Sequence, residues 1–297
     1  MTERTGPVLV TGASSGIGRA ITEHLSAAGH AVFATARKKS DLERLAELPL
    51  VTPIRLDVTR QADVENALRT IRASRRGLYG LVNNAGVGQL SPLVETSLEE
   101  VHRVLDVNLY GLHRMVRACF SELARSRGRI VNISSINGIS PFHFSGAYCA
   151  SKFAVEAYSD VLRDELARFH IRVILVEPGA FRSNITSNLV ARKGTGTAAW
   201  FGRSPEWGPE RRRWKRVVET PEESRRSRYP EPRPVAEAVA DALFSRSPRP
   251  RYLVGASQGE VDWTIGHVLS LLHQLNQGHE HSVSTDELAD RLRRALG

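Results

Sequence analysis

Cysteine and methionine are scarce in this 297-residue chain, two of each, and aromatic residues make up only 6%. Two cysteines, Cys119 and Cys149, cannot staple a chain of this length, and both fall in apolar, helix-like contexts. A disulfide framework is excluded, and a reducing, cytoplasmic setting is the expectation. There is no uninterrupted run of about 18 apolar residues, so no transmembrane segment is expected. The start carries no signal-peptide pattern, because Gly6 and Pro7 lead straight into a strand-like run. Acidic residues fall short of basic ones, 32 against 41, leaving a formal charge of +9. That excess lies largely in one segment without basic residues interleaved with aromatics on a known module, so nucleic-acid binding is not expected.

What the chain does have is a regular alternation of strand and helix patterns. The apolar run Pro7 to Thr11 reads as a buried strand and is followed by TGASSGIG and a helical pattern through Ile21 and Leu25. Glycines between a strand and a helix let backbone approach a pyrophosphate, and the helix start offers free N–H groups and a positive dipole end. A second strand, Ala31 to Ala36, ends in Arg37-Lys38-Lys39. NAD-binding folds usually place an acid there for the ribose 2′-hydroxyl, whereas a guanidinium pairs with a 2′-phosphate. Arg37 therefore points to NADP(H) over NAD(H); a solvated charge run is the other reading of the same residues. Further strands at Val51–Leu56, Gly80–Val82, Gly128–Ile133 and Val173–Val176 alternate with helices. One of these is a long helix opened by a capping box at Ser97 and running through Asn108 to about Arg125. Asparagine is unfavourable inside a helix, so Asn108 invites a polar role. The progression predicts an α/β fold with one doubly wound parallel sheet flanked by helices.

The chemistry concentrates between Ser134 and Lys152. Tyr148 and Lys152 stand four apart and leave one face of a helix together. A phenol ionises near pH ~10, and a neighbouring ammonium is expected to lower that value toward useful acid/base chemistry. Ser135, across a Gly/Ser/Pro-containing loop, offers a hydroxyl to hold a carbonyl oxygen. Tyr-x-x-x-Lys also occurs on ordinary amphipathic helices, where the tyrosine packs and the lysine is solvated.

Taken in order, TGASSGIG, NNAG (Asn83 to Gly86), Tyr148-x-x-x-Lys152 and Pro178 to Ser183 resemble the short-chain dehydrogenase/reductase family. The stretch AYCASKFAVEAYSDVLRDEL and the last strand RPRYLVG look closest to its 17β-hydroxysteroid and retinol dehydrogenase-like branch. The resemblance implies a Rossmann-type fold and a catalytic tetrad of Asn108, Ser135, Tyr148 and Lys152. It implies cofactor contacts from Gly12, Ser14, Ser15, Gly16, Ile17 and Gly18, from Asp57 and Val58 at the adenine, and from Asn83, Ala85 and Gly86 at the adenosine ribose. Pro178, Gly179 and Ser183, with serine in place of the family's threonine, would orient the nicotinamide carboxamide. Tyr148 would protonate the substrate oxygen and Ser135 would polarise it. Lys152 would hold the nicotinamide ribose, and Asn108 would hold a water linked to Lys152. A homodimer or homotetramer is implied as well.

The expected organisation is one domain, with its core at about residues 7–185 and 234–256, an insertion at about 186–233 and an extension at about 257–297. The insertion carries Trp200, Phe201, Trp207, Trp214 and Tyr229 and reads as a lid over an apolar substrate, or as a solvated loop. Its basic run, Arg211 to Arg213 with Lys215 and Arg216, could dock an anionic handle such as a phosphopantetheine carrier or a phosphorylated substrate. Apolar Ile265, Val268, Leu269, Leu271 and Leu272 predict an amphipathic helix packed on the domain or a subunit, with membrane-surface contact as the alternative. His279, Glu280 and His281 read as a polar loop, with no metal expected. The expected activity is an NADP(H)-dependent alcohol dehydrogenase or carbonyl reductase acting on a bulky apolar ketone, aldehyde or alcohol of steroid, retinoid or polyketide character. A non-catalytic NADP(H)-binding sensor or scaffold is the alternative.

Overall fold

The computed structural model describes residues 6–185, 188–189, 205–221, 223–224 and 227–296. Seven strands form one sheet: β1 (Val8–Val10), β2 (Val32–Ala36), β3 (Val51–Arg55), β4 (Gly80–Asn83), β5 (Arg129–Ile133), β6 (Arg172–Pro178) and β7 (Arg251–Val254). Their spatial order is β3-β2-β1-β4-β5-β6-β7. Every neighbouring pair is parallel, with Val10 opposite both Ala34 and Val82. Pro53 lacks an amide donor and sits on β3, the edge strand, where one side of the ladder needs none.

Parallel connections require crossovers, and helices provide them on both faces. Side chains alternate along β1, so Val8 and Val10 face one layer while Leu9 faces the other. The first layer buries Ile21 and Leu25 of α1 (Gly16–Ala27) and Leu45 of α2 (Lys39–Ala46). The second buries Val64, Ala67 and Ile71 of α3 (Gln61–Ala73). Each fully buried side chain of this kind contributes about 1.5–3 kcal/mol.

The helix expected from Ser97 to Arg125 is present but interrupted. Ser97 caps α4 (Leu98–Leu105), its hydroxyl accepting from the Glu100 amide at 3.3 Å. A π-helical turn, Asp106–Tyr110, then widens the spiral around Asn108 before α5 (Gly111–Ser126) resumes. Such a turn reflects one residue more than the regular ladder holds, which is where the helix interior accommodates an asparagine. Next come α6 (Gly146–Ala167), α7 (Gly208–Glu219) and α8 (Arg233–Phe244). The chain ends in α9 (Gln258–Leu275) and α10 (Thr285–Leu296).

Two expectations change. The insertion is not wholly irregular: its Gly-Pro pair starts α7, Pro209 standing in the first turn, where the missing amide costs nothing. The α9 apolar stripe does not pack on the domain beyond Thr264, because Ile265, Val268, Leu269, Leu271 and Leu272 are exposed. Periodicity reveals that a helix has an apolar face, not that this chain covers it. Among the described residues no helix is long and apolar enough to cross a membrane.

One buried guanidinium joins the sheet to the helix layer. Arg129 at the start of β5 donates to the carbonyls of Ala242 at 2.8 Å and Ser245 at 2.6 Å, capping the end of α8 with positive charge. Arg129→Met keeps the apolar stem but leaves both carbonyls unbonded. It should lower stability by about 1.5–3 kcal/mol. Urea unfolding checks this, and a change under about 0.5 kcal/mol would remove the cap from the account.

Candidate active site

The carboxyl ends of the strands open onto one cavity of about 850 Å³. It lies where the strand order reverses between β1 and β4, the crevice where doubly wound sheets bind ligands.

The glycine loop forms one wall. Thr11 at the end of β1 accepts from the amides of Asn84 at 2.9 Å and Ala85 at 3.0 Å through its hydroxyl. The Asn84 side chain donates to the Thr11 carbonyl at 2.9 Å and the Gly12 carbonyl at 3.2 Å. This packing leaves no room for a side chain at Gly18, where a Cβ would lie 2.4 Å from both the Asn84 amide nitrogen and the Gly12 carbonyl. The start of α1 can thus sit directly on the loop, and its N-cap Ser15 makes no side-chain capping bond. Backbone donors at the first turn of α1 are left for a ligand, which fits a dinucleotide pyrophosphate. Gly12, Ser14, Ser15, Gly16, Ile17 and Gly18 all line the cavity.

Toward the ends of β2 and β3, Arg37, Asp57 and Val58 line the same cavity. The Arg37 guanidinium is 3.9 Å from the Asp57 carboxylate, and its side chain is 69% exposed, free to swing toward another anion. Burial works against charge on Asp57. The Thr59 amide and hydroxyl that it accepts, with Arg37 and Arg60 nearby, nevertheless hold its carboxyl below the usual value.

Asn83 corrects the sequence expectation. Its side chain turns into the sheet and donates to Asn132 at 2.9 Å, while Asn84, Ala85 and Gly86 reach the cavity. Strand alternation sends neighbouring asparagines to opposite sides, and that parity is not visible in NNAG itself.

At the other end, Ser135, Tyr148 and Lys152 meet on one wall. Ser135 follows β5; its hydroxyl accepts from the Asn137 amide at 3.1 Å and lies 3.5 Å from the Pro178 carbonyl. Lys152, buried one turn below Tyr148 on α6, donates to the Ile133 carbonyl at 2.8 Å. Its ammonium is 5.8 Å from the Tyr148 ring centre. The expected lowering of the Tyr148 pKa does not occur: burial pushes it up, opposed by a hydrogen bond with Ser135. Burial also pushes Lys152 down, to about 8, against the pull of Glu156.

Asn108 stands behind this wall and does not line it. Its carbonyl oxygen accepts from the Val87 amide at 2.8 Å, and its nitrogen donates to the Val87 carbonyl at 3.0 Å and Ser151 at 2.9 Å. With both N–H bonds spent on protein, the side chain is a brace between the π-helical turn, the strand end and α6.

The remaining lining mixes aromatic and aliphatic side chains with polar ones such as Gln89, Asn137, Asn184 and Asn188. Trp214 and Tyr229 contribute from the insertion, with Phe142, Phe181 and Leu189. Trp207 lies outside the lining, its indole N–H donating to Glu95 at 2.9 Å. Trp200 and Phe201 lie outside the described residues. Arg212, Arg213, Lys215 and Arg216 are exposed on α7. Sequence reasoning missed Asn84, Glu260 and Trp263, which also reach the cavity. Only the polar character of Asn84 within NNAG signalled its role; the other two approach from far along the chain.

A partly buried ionic junction underlies the wall that carries Ser135, Tyr148 and Lys152. Arg251 of β7 pairs with Glu156 and, at 2.6 Å, with Asp160 of α6, and at 2.8 Å with Glu177 of β6. Burial, together with the Glu156 charge, pushes Glu177 up to about 7.

Known proteins share this framework. Residues 7–194 match the short chain dehydrogenase family. The 3-ketodihydrosphingosine reductase of Bacteroides thetaiotaomicron is 39% identical over 182 residues, 61% of this chain and 66% of that protein, so the chain spans just under two thirds of this relative's length. Retinol dehydrogenase 5 of Mus musculus is 35% identical over 266 residues, covering 84% of this chain and 80% of that one. A solved short-chain dehydrogenase from Streptomyces avermitilis aligns with a TM-score of 0.75 and 34% identity over 92% of this chain and 95% of that chain. With a family match over most of its sheet and relatives alike over most of its length, this chain belongs to the short-chain dehydrogenase/reductase family, in its retinol and steroid dehydrogenase-like branch.

Proposed function

We propose that the protein is an oxidoreductase that interconverts a bulky, apolar ketone or aldehyde and its alcohol, using NADP(H) in preference to NAD(H). The observation that carries this reading is the convergence of Ser135, Tyr148 and Lys152 on the cavity that the glycine loop also lines. A sensor without turnover has no need of a hydroxyl, a phenol and an ammonium gathered in one dry corner.

When bound, the nicotinamide supplies the hydride. The chain's own residues do the rest. The first turn of α1 and its glycine loop bind the pyrophosphate, and Ala85 and Gly86 flank the adenosine ribose. Pro178, Gly179 and Ser183 orient the carboxamide. Ser135 holds the substrate oxygen by a hydrogen bond, and the Tyr148 hydroxyl gives it a proton in reduction. A phenol held above its ordinary pKa is fully protonated at neutral pH and ready to donate. Lys152 places positive charge beside the phenolate that forms. Asn108 is a positioning residue that keeps α6 against the β4 end.

Substrate character follows from the wall. Phe142, Phe181, Leu189, Trp214 and Tyr229 offer area to an apolar body. The similar reductase of a sphingoid ketone and the similar retinol dehydrogenase support a hydrophobic substrate here.

Tyr148→Phe should abolish turnover while leaving NADPH affinity within about twofold, because only the proton donor is lost. NADPH oxidation followed across a panel of steroid, retinoid, aryl and β-keto carbonyls tests this, and substantial residual turnover would remove Tyr148 from its role.

Arg37→Ala should raise the KM for NADPH by about 10- to 100-fold and leave that for NADH nearly unchanged, the cost of one charge-assisted phosphate contact. Equal effects on both cofactors would overturn the NADP(H) preference.

The pH dependence follows from Lys152. Burial favours its neutral form, so the ammonium is complete only below about 8 and is lost as pH rises through that value. Reductive kcat/KM for NADPH, which reports the free enzyme, should therefore hold at neutral pH and fall on the alkaline side of about 8. A reductive rate that climbs through that range would contradict the role given to Lys152.

A further inference from the structure

Glu260 lies far beyond the catalytic segment, yet its carboxylate lines the cavity. It sits in the first turn of α9, its own amide bonded to the Ser257 hydroxyl at 3.3 Å. Instead of closing that turn on itself, the carboxylate reaches across to the loop after β6. It accepts from the Ala180 amide at 3.1 and 3.3 Å, and from the Ala256 amide at 2.8 Å. Gly179 makes the approach possible, because a Cβ there would stand 1.8 Å from a Glu260 oxygen. The Gly179 amide in turn donates to the Val254 carbonyl at 2.8 Å, at the end of β7. Glu260 thus fastens the loop that bears Pro178, Gly179 and Ser183 to the base of the C-terminal helix.

One turn of helix further on, Trp263 also lines the cavity. Its ring meets Phe142 edge to face at 6.5 Å, and Phe142 belongs to the loop between Ser135 and Tyr148. The two rings are 40% and 44% exposed, so they stand at the cavity's boundary with solvent. The C-terminal helix therefore touches the site twice, once by charge at the cofactor loop and once by an aromatic face at the substrate end.

We propose that α9 is a wall of the active site: Glu260 is a positioning residue that sets the Gly179–Ala180 loop, and Trp263, paired with Phe142, determines how bulky a substrate can enter. The Trp263 half rests on the oxidoreductase reading, whereas the Glu260 half does not.

The test uses the full chain in three variants. Hydrogen exchange on the cofactor-free protein reads the Ala180 and Ala256 amides directly. Glu260→Ala should speed both by about tenfold or more, the loss of one hydrogen bond's worth of protection, and Glu260→Gln, which keeps one acceptor oxygen, should fall between. NADPH affinity should weaken in the same order. In Trp263→Ala both amides and NADPH affinity should match the unmodified protein. Its KM values should instead shift in favour of the bulkier members of an aryl and alkyl ketone series by about tenfold. Displacement of the apolar dye anilinonaphthalene sulfonate by the same ketones reads that selectivity without turnover. Unchanged exchange at both amides in Glu260→Ala overturns the clamp. An unchanged ketone ranking in Trp263→Ala, by both KM and displacement, overturns the specificity role. Displacement without turnover in the unmodified protein would count against the oxidoreductase reading and leave the clamp standing.

Discussion

A single guanidinium holds the wall of Ser135, Tyr148 and Lys152 in register. Arg251 comes from the last strand of the sheet, Glu177 from its neighbour, and Glu156 and Asp160 from successive turns of α6. Glu177 immediately precedes Pro178, whose carbonyl faces Ser135, and Glu156 follows Lys152 by one turn. The junction therefore ties the helix that carries the acid and the ammonium to the loop that closes the cofactor end. Loss of Arg251 would leave the buried Glu156 and Glu177 carboxylates without their counter-charge, which burial makes costly. Three carboxylates nevertheless gather around Arg251, and Arg163 compensates only Asp160. The remaining imbalance is expressed in Glu177, which burial and the Glu156 charge push up to about 7, so the junction retains a share of a proton near neutrality.

The same dryness acts on the two reacting groups in opposite directions. A phenol and an ammonium are both driven toward neutrality by burial, Tyr148 upward and Lys152 downward. Sequence spacing alone suggests the reverse for Tyr148, since an adjacent ammonium stabilises phenolate. The adjacency exists along the helix, but the Lys152 ammonium is spent on the Ile133 carbonyl and reaches only within 5.8 Å of the ring centre. Helical spacing sets a shared face; the third dimension decides where a flexible four-carbon stem ends.

Much of the architecture was legible because it rests on local patterns. Apolar runs, glycine turns and helix periodicity implied the parallel sheet, and Ser97 caps the helix its sequence announces. Parity within a strand was not legible: Asn83 and Asn84 look equivalent in NNAG, yet one faces Asn132 within the sheet and the other braces the glycine loop. The π-helical turn at Asn108 was equally hidden, and the groups that bond its side chain, on Val87 and Ser151, come from two other segments. The covering of a helix face was the third gap. The α9 stripe has the period of a packed helix, but the domain takes up only its first turns, through Glu260, Val261 and Thr264.

Depressed basicity at Lys152, the Arg37 guanidinium and the open first turn of α1 give the site a direction. An ammonium whose pKa has fallen to about 8 regains basicity when negative charge enters its surroundings. Arg37 at the far end attracts the same sign of charge, and the uncapped first turn of α1 presents its positive dipole end between them. An anionic ligand that spans the cavity therefore does more than occupy it. By linkage, whatever raises the Lys152 pKa on binding is itself bound more tightly when Lys152 is charged. On the proposed reading, binding at the glycine loop and proton transfer at Tyr148 are coupled through one buried ammonium, which the Ile133 carbonyl holds in place.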